Sequence, residues 1–201
     1  TALTFLQVLT YSEWTYIPDV VWLPDSSGFR VVIPPQDPLY YTTALTNFYD
    51  VPVSGSPTIQ ASFIASPAFM SRPRISPDGQ NVAYMSDNGS NTDLQLSGFS
   101  IGDELYTTYT YGQWDVDGWA PDSTHFIYWM NDTRSLWLAA LGSPATPLTD
   151  TTHAQDIQWV DFTRLFFLSD NELRLGTAGG ASTVIDTGVD GGYDFYANLM
   201  P

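Results

Sequence analysis

The sequence predicts an all-β fold, a β-propeller of four-stranded antiparallel blades, and three observations carry that prediction. A hairpin built on a Pro-Asp turn recurs as Leu23-Pro24-Asp25, Ser76-Pro77-Asp78 and Ala120-Pro121-Asp122. The residues ahead of the turns, Trp22, Ile75, Trp119 and finally Trp159, are spaced by 53, 44 and 40 residues. A period near forty with four strands per repeat is a propeller signature. Finally, apolar residues alternate with a period of two, and no stretch carries a convincing amphipathic helix.

Phe5 to Tyr11 reads as an opening strand. The first blade, about 19–66, takes strands from 19–25, 28–33, 48–53 and 58–63. Its hairpin reads as one residue longer at the turn than that of the second blade, and the polar and aromatic stretch 34–45 reads as an insertion. The second blade, about 72–112, opens on Ile75-Ser76-Pro77-Asp78-Gly79, where Pro77 presets φ, Asp78 accepts from backbone N–H groups and Gly79 allows a positive φ. Its later strands are expected at 82–87, 93–97 and 104–109. The third blade, about 117–150, has strands at 118–123, 125–130, 135–141 and 145–150. The fourth, about 156–188, has them at 156–161, 164–169, 172–175 and 182–186, with Val160-Asp161-Phe162 where Pro-Asp-Gly is expected. A partial strand, 194–199, follows.

Composition narrows the partners. Of 201 residues, 22 are acidic and 6 basic, giving a formal charge of −16. That balance excludes nucleic acid, whose phosphates need cationic neutralisation, and disfavours an anionic membrane surface. Cations and basic proteins or peptides are the compatible partners. Nineteen of the acids are Asp and Lys is absent, a bias that suits turns better than helix surfaces. There is no Cys, no transmembrane-length apolar run and no basic-then-apolar leader. The chain starts at Thr1 without Met, which is expected of a processed or excised piece.

Trp119-Ala120-Pro121-Asp122, Ser135-Leu136-Trp137-Leu138, Pro147-Leu148-Thr149 and Asp156-Ile157-Gln158-Trp159 resemble TolB-type propeller repeats. These WD-like repeats also occur in prolyl oligopeptidase-family propellers, and Ile75 to Asp93 matches them equally well. The resemblance covers about 19–188 and implies an extracytoplasmic, noncatalytic module that holds a protein or peptide. A substrate-gating propeller of a peptidase, with its catalytic domain outside this chain, stays open as an alternative. The partial end strands, 5–11 and 194–199, favour a portion of a larger propeller whose remaining blades are partners.

Candidate sites follow from blade geometry. First strands line a propeller channel, so Asp19, Arg72, Asp117, Asp156 and Asp194, with Asp115 nearby, are expected at one mouth, able to bind a cation or a basic peptide. A solvated channel explains the same residues without a ligand. A glycosidase using channel carboxylates such as Asp19 and Asp156 is a weaker alternative. Asp87, Asn91 and Asp93 offer oxygen ligands for Ca²⁺ but lack the spacing and terminal Glu of an EF-hand; a plain turn joining two strands is the favoured reading. No other cofactor is expected. Gly98-Phe99-Ser100-Ile101-Gly102 matches a nucleophile-elbow pattern but is read as a connecting turn, because no helix follows. The two histidines, His125 and His153, are too few for a three-histidine zinc site. Trp22, Trp119 and Trp159 are expected to pack between blades.

Overall fold

The computed structural model describes residues 19–33, 35, 43–65, 73–87, 92–96, 99–101, 118–130, 135–177 and 179–189. The expected end strands, 5–11 and 194–199, lie outside them. The chain divides into two compact units, 1–103 and 104–201. All described regular structure is β, in antiparallel sheets of three or four strands.

The first unit holds two sheets. One runs β1 (Val20–Trp22), β2 (Gly28–Ile33), β3 (Thr46–Pro52) and β4 (Thr58–Phe63), in that spatial order. The other runs β5 (Arg74–Ile75), β6 (Val82–Asp87), β7 (Thr92–Leu96) and β8 (Phe99–Ile101). The last strand corrects an expectation. Phe99–Ile101 is not a connecting turn but the fourth strand, with Leu94 opposite Ile101 and Leu96 opposite Phe99. The strand expected at 104–109 lies outside the described residues.

The second unit holds the sheet of β9 (His125–Met130), β10 (Ser135–Ala140) and β11 (Ser143–Pro147), and the sheet of β12 (Gln155–Trp159), β13 (Arg164–Ser169), β14 (Glu172–Thr177) and β15 (Thr183–Thr187). Only three strands form the former. The strand expected at 118–123 contributes a single bridge, Trp119 opposite Phe126, flanked by the Ala120 N–H on the His125 carbonyl at 2.8 Å. Gly118 is needed there, since a Cβ would fall 2.1 Å from the Phe126 ring.

The Pro-Asp turns share one construction. The Asp carboxylate accepts the backbone N–H two residues on, at 2.9 Å, from Ser27 to Asp25, Gln80 to Asp78 and Thr124 to Asp122. Each turn is closed by an N–H donated to the carbonyl five residues ahead: Leu23 to Gly28, Ser76 to Asn81, Ala120 to His125. The first hairpin is therefore the same length as the second, not one residue longer. Ser26, Gly79 and Ser123 take the left-handed conformation after the Asp, with φ of 58°, 74° and 61°. In the fourth sheet Asp161 accepts from Thr163 at 2.8 Å, so the same Asp grip operates without proline. Its loop is one residue shorter, with the Val160 N–H donating to the Arg164 carbonyl.

Within each unit the two sheets pack face to face. The front face of a sheet is defined here as the one bearing Trp22, Ile75, Trp119 or Trp159. In the first unit, Val21, Val32, Phe48 and Phe63 on the back of β1 to β4 meet Ile75, Val82 and Tyr84 on the front of the next sheet. Phe63 and Tyr84 stack with centroids 3.9 Å apart. In the second unit, Ile127, Leu136 and Leu138 on the back of β9 and β10 meet Ile157, Trp159, Leu165 and Phe167 on the front of β12 and β13. The period of two in the strands becomes two apolar faces, and each contact joins a back face to the front face next in sequence.

Edge strands are shaped against pairing. The partners of β4, β11 and β15 each show a register shift along them, and β11 also carries Pro144 and Pro147. Bulges and prolines on an edge discourage another chain from extending the sheet.

Two outcomes are expected. Phe167→Ala, at a side chain 1% exposed, should cost about 3–5 kcal/mol in urea unfolding, while Ile185→Ala on an exposed strand should stay within about 0.5 kcal/mol. The Asp turns set an acid limit. Desolvation pushes the Asp161 carboxyl up, but N–H groups of Thr163 and Arg164 outweigh it and hold the pKa at about 2. Asp122 is likewise lowered, burial being outweighed by donors from Thr124 and His125. Folded values below the ordinary 3.8 mean that this stability is fully present above that pH and drains as pH falls toward about 2. Melting curves of the native chain and Asp161→Ala should therefore lie apart at pH 6 and converge in strong acid, about two pH units below the ordinary carboxylate value.

Candidate functional site: acidic residues where the first strands begin

Asp19 and Asp156 stand three residues before Trp22 and Trp159, at the starts of β1 and β12. They belong to different units, and their surroundings differ. Asp19 is engaged. Its Oδ2 accepts the Ile75 N–H at 2.5 Å, its Oδ1 lies 3.9 Å from Arg74 Nη1, and its carbonyl accepts the Val32 N–H. A carboxylate reaching from β1 to the exposed edge of β5 satisfies a backbone donor that the sheet ladder leaves over, so Asp19 joins the two sheets of its unit. Arg74, one strand position before Ile75, adds the countercharge.

Asp156 is exposed and takes φ of 51° inside a register shift of β12. The bulge sets two residues of β12 against one of β13 and turns the carboxylate out of the ladder. Two further residues in the approach to β12, Asp150 and His153, are also left-handed, with φ of 58° and 59°. Asp, Asn and His tolerate that region better than other side chains. At the same end of this sheet, Asp170 and Asn171 link β13 to β14 in a two-residue turn with φ of 52° and 62°. Both positive values fit the turn type whose twist matches the strands.

These turns gather polar groups around the start of β12. His153 Nδ1 lies 3.4 Å from Asp170 Oδ1, both side chains being mostly exposed. Behind them, Thr151 is buried, donates to the Leu148 carbonyl at 2.9 Å and accepts the Leu136 N–H at 3.0 Å. Ser169 Oγ donates to the Thr152 carbonyl at 2.7 Å. The loop that carries His153 is thereby pinned from both sides. Nearby, Arg174 is held by Glu172 at 2.5 Å and donates to Ser182, which donates to Asp150 at 3.0 Å. Arg174 is committed to this network, so the exposed charge at the start of β12 stays negative. The His153–Asp170 contact was not expected from the sequence, because it joins a loop to a hairpin seventeen residues away.

Arg72, Asp115, Asp117 and Asp194 lie outside the described residues, as does Asn91. Asp87 and Asp93 are described by backbone only, on adjacent rungs of one hairpin: Asp87 opposite Thr92 and Ser86 opposite Asp93. Among the described residues no group of three or more His, Asp or Glu side chains is placed to hold a metal ion. His125 is not a bare imidazole: its Nδ1 sits 2.6 Å from Asp122 at the hairpin turn, a structural pairing. Trp119 and Trp159 are buried as expected, at 6% and 7% exposure, but Trp22 is 63% exposed. The expectation that all three pack between sheets is corrected at Trp22, whose front face no other described sheet of its unit covers.

No family model and no curated protein matches the chain. Solved structures similar to it include TolB from Acinetobacter baumannii, with a TM-score of 0.46 and 15% identity over 84% of this chain and 43% of that one. A TolB-assigned protein from Agrobacterium tumefaciens gives a TM-score of 0.48 and 18% identity over 84% of this chain and 61% of that one. The chain thus spans less than two thirds of either.

The contrast between the two aspartates is measurable. Asp19→Ala leaves the Ile75 N–H without its acceptor and should cost about 1–3 kcal/mol in equilibrium unfolding. Asp156→Asn, which keeps a residue tolerant of φ 51°, should stay within about 0.5 kcal/mol.

Proposed function

We propose that this chain is a noncatalytic propeller portion that binds a protein or peptide partner, and that the partner surface is basic. The observation carrying this reading is the acidic end of the fourth sheet, where exposed Asp156 and Asp170 surround the start of β12 and the nearby arginine is already engaged. A net charge of −16 adds long-range attraction for a cationic partner. Support for blades comes from the sheet packing, in which the back of one sheet meets the front of the next once in each unit, and from the TolB-type repeats in the sequence. That resemblance also underlies the assignment to an extracytoplasmic compartment. No helix among the described residues is long and apolar enough to cross a membrane.

The use of Asp19 and Asp156 as a glycosidase pair gains no support, because Asp19 is tied to the Ile75 N–H and lies beside Arg74. A Ca²⁺ at Asp87, Asn91 and Asp93 remains a proposal, read by a melting shift between added Ca²⁺ and chelator.

Immobilised chain exposed to basic and acidic peptide pools should retain the basic pool, and raised salt should weaken retention. The double substitution Asp156→Asn with Asp170→Asn should lower it several-fold, on the order of the ~1 kcal/mol per exposed charge that surface ion pairs reach. Equal retention of both pools would sink the charge argument.

A further inference from the structure

We infer that His153 makes the acidic end of the fourth sheet pH-sensitive, so that it holds a cationic partner near neutral pH and loosens as the imidazole takes up a proton. This rests on the reading of that end as the partner surface. The sequence confines such a switch to few groups. The chain has no Cys and two His, and its six basic residues are all Arg. Carboxylates are mostly ionised by pH 5 and arginine keeps its charge throughout, so the charge change between pH 5 and 7 falls on imidazoles.

The two histidines differ in what they face. His125 Nδ1 sits 2.6 Å from Asp122 in the turn before β9, and that carboxylate also accepts the His125 N–H at 3.1 Å. Its charge is answered inside the turn. His153 stands on the loop into β12, mostly exposed, with its Nδ1 3.4 Å from Asp170 on the β13–β14 turn. Among the described residues, the other charged groups about it are Asp150 and Asp156, three residues to either side, and Glu172 and Arg174 on β14. Arg174 is a permanent countercharge, 2.5 Å from Glu172 and 3.7 Å from Asp150. His153 is the conditional one, and the acid it meets is Asp170.

Other uses of the pair find less support. The hydroxyls of Thr151 and Ser169 are spent on the Leu148 and Thr152 carbonyls, so neither is a nucleophile for this imidazole. No third ligand is placed beside the pair to hold a metal ion among the described residues. The same two hydrogen bonds pin the loop from both sides, so protonation changes the charge at the site rather than the position of the ring. A neutral imidazole leaves Asp170 its full charge. An imidazolium sets a positive charge beside that carboxylate and opposes a guanidinium or ammonium group arriving there, as Arg174 already does at Glu172. Exposed charges interact weakly, so the effect on binding is about two- to fivefold.

The probe is fluorescent nona-arginine, whose charge is constant between pH 5 and 7, titrated at low ionic strength. The native chain should bind it about two- to fivefold more weakly at pH 5 than at pH 7. His153→Asn, which keeps a residue tolerant of φ 59°, should bind nearly equally at both, and His125→Gln should keep the native dependence. Equal native binding at the two pH values overturns the inference, and so does a dependence that survives in His153→Asn. Proton linkage gives a second measurement on the native chain, which decides the matter if a variant does not fold. Calorimetry at pH 6 in two buffers of different ionisation enthalpy should show a fraction of a proton released on binding, since the partner opposes the charged imidazole. Binding without release overturns the inference. The double substitution Asp156→Asn with Asp170→Asn reads the partner surface separately at pH 7. Undiminished binding there removes that reading and the switch with it, whereas a several-fold loss beside a flat native pH profile removes the switch alone.

Discussion

A four-stranded sheet with apolar residues on both faces cannot satisfy itself, and that constraint governs this molecule. The contact of Trp159, Leu165 and Phe167 with Ile127, Leu136 and Leu138 is its fullest expression, with most of these side chains almost wholly removed from water. At roughly 25 cal/mol per Å² of apolar surface, burying such residues is the main favourable contribution to folding. The packing has a direction, back face onto the next front face, and the strands of each sheet follow one another in sequence order. Gly176 serves the same contact, since a Cβ there would fall 2.9 Å from the Phe167 ring.

Polar groups are arranged around that packing rather than within it. Each turn aspartate satisfies N–H groups that the hairpin cannot pair, and Asp19 does so across two sheets. Arg30 extends the pattern. From β2 it donates to the Gly79 carbonyl of the next sheet's turn, while Phe48 lies under its guanidinium with the centroid 5.8 Å away. An aspartate-rich, lysine-free composition is therefore in large part a consequence of turn chemistry. Asp156 stands outside that pattern, exposed on its bulge, and Asp170 meets His153.

Function in such an arrangement is drawn from what the packing does not consume. At the start of β12 those residues are charged and held by left-handed turns. On the front of the first sheet they are apolar. The difference follows from whether the strand alternation points a residue out of the sheet stack or into it.

The sequence by itself determined the all-β class, most of the strands and the Asp turns, because these depend on period-two alternation and on local hydrogen bonds within a few residues. Asp161 could be placed as a turn residue but its equivalence to Asp122 was hidden by the missing proline; the carboxylate grip, which does not need proline, settled it. Strand β8 was misplaced because a short Gly-flanked triplet has no periodicity of its own and becomes a strand only against β7. Tertiary structure alone decided which aspartates are engaged. Asp19 and Asp156 are indistinguishable by spacing, yet one meets a backbone N–H from a strand 56 residues away and the other faces solvent on a bulge. The same holds for Trp22 and Trp159: alternation places both on a front face, and only the presence of a neighbouring sheet makes one of them core.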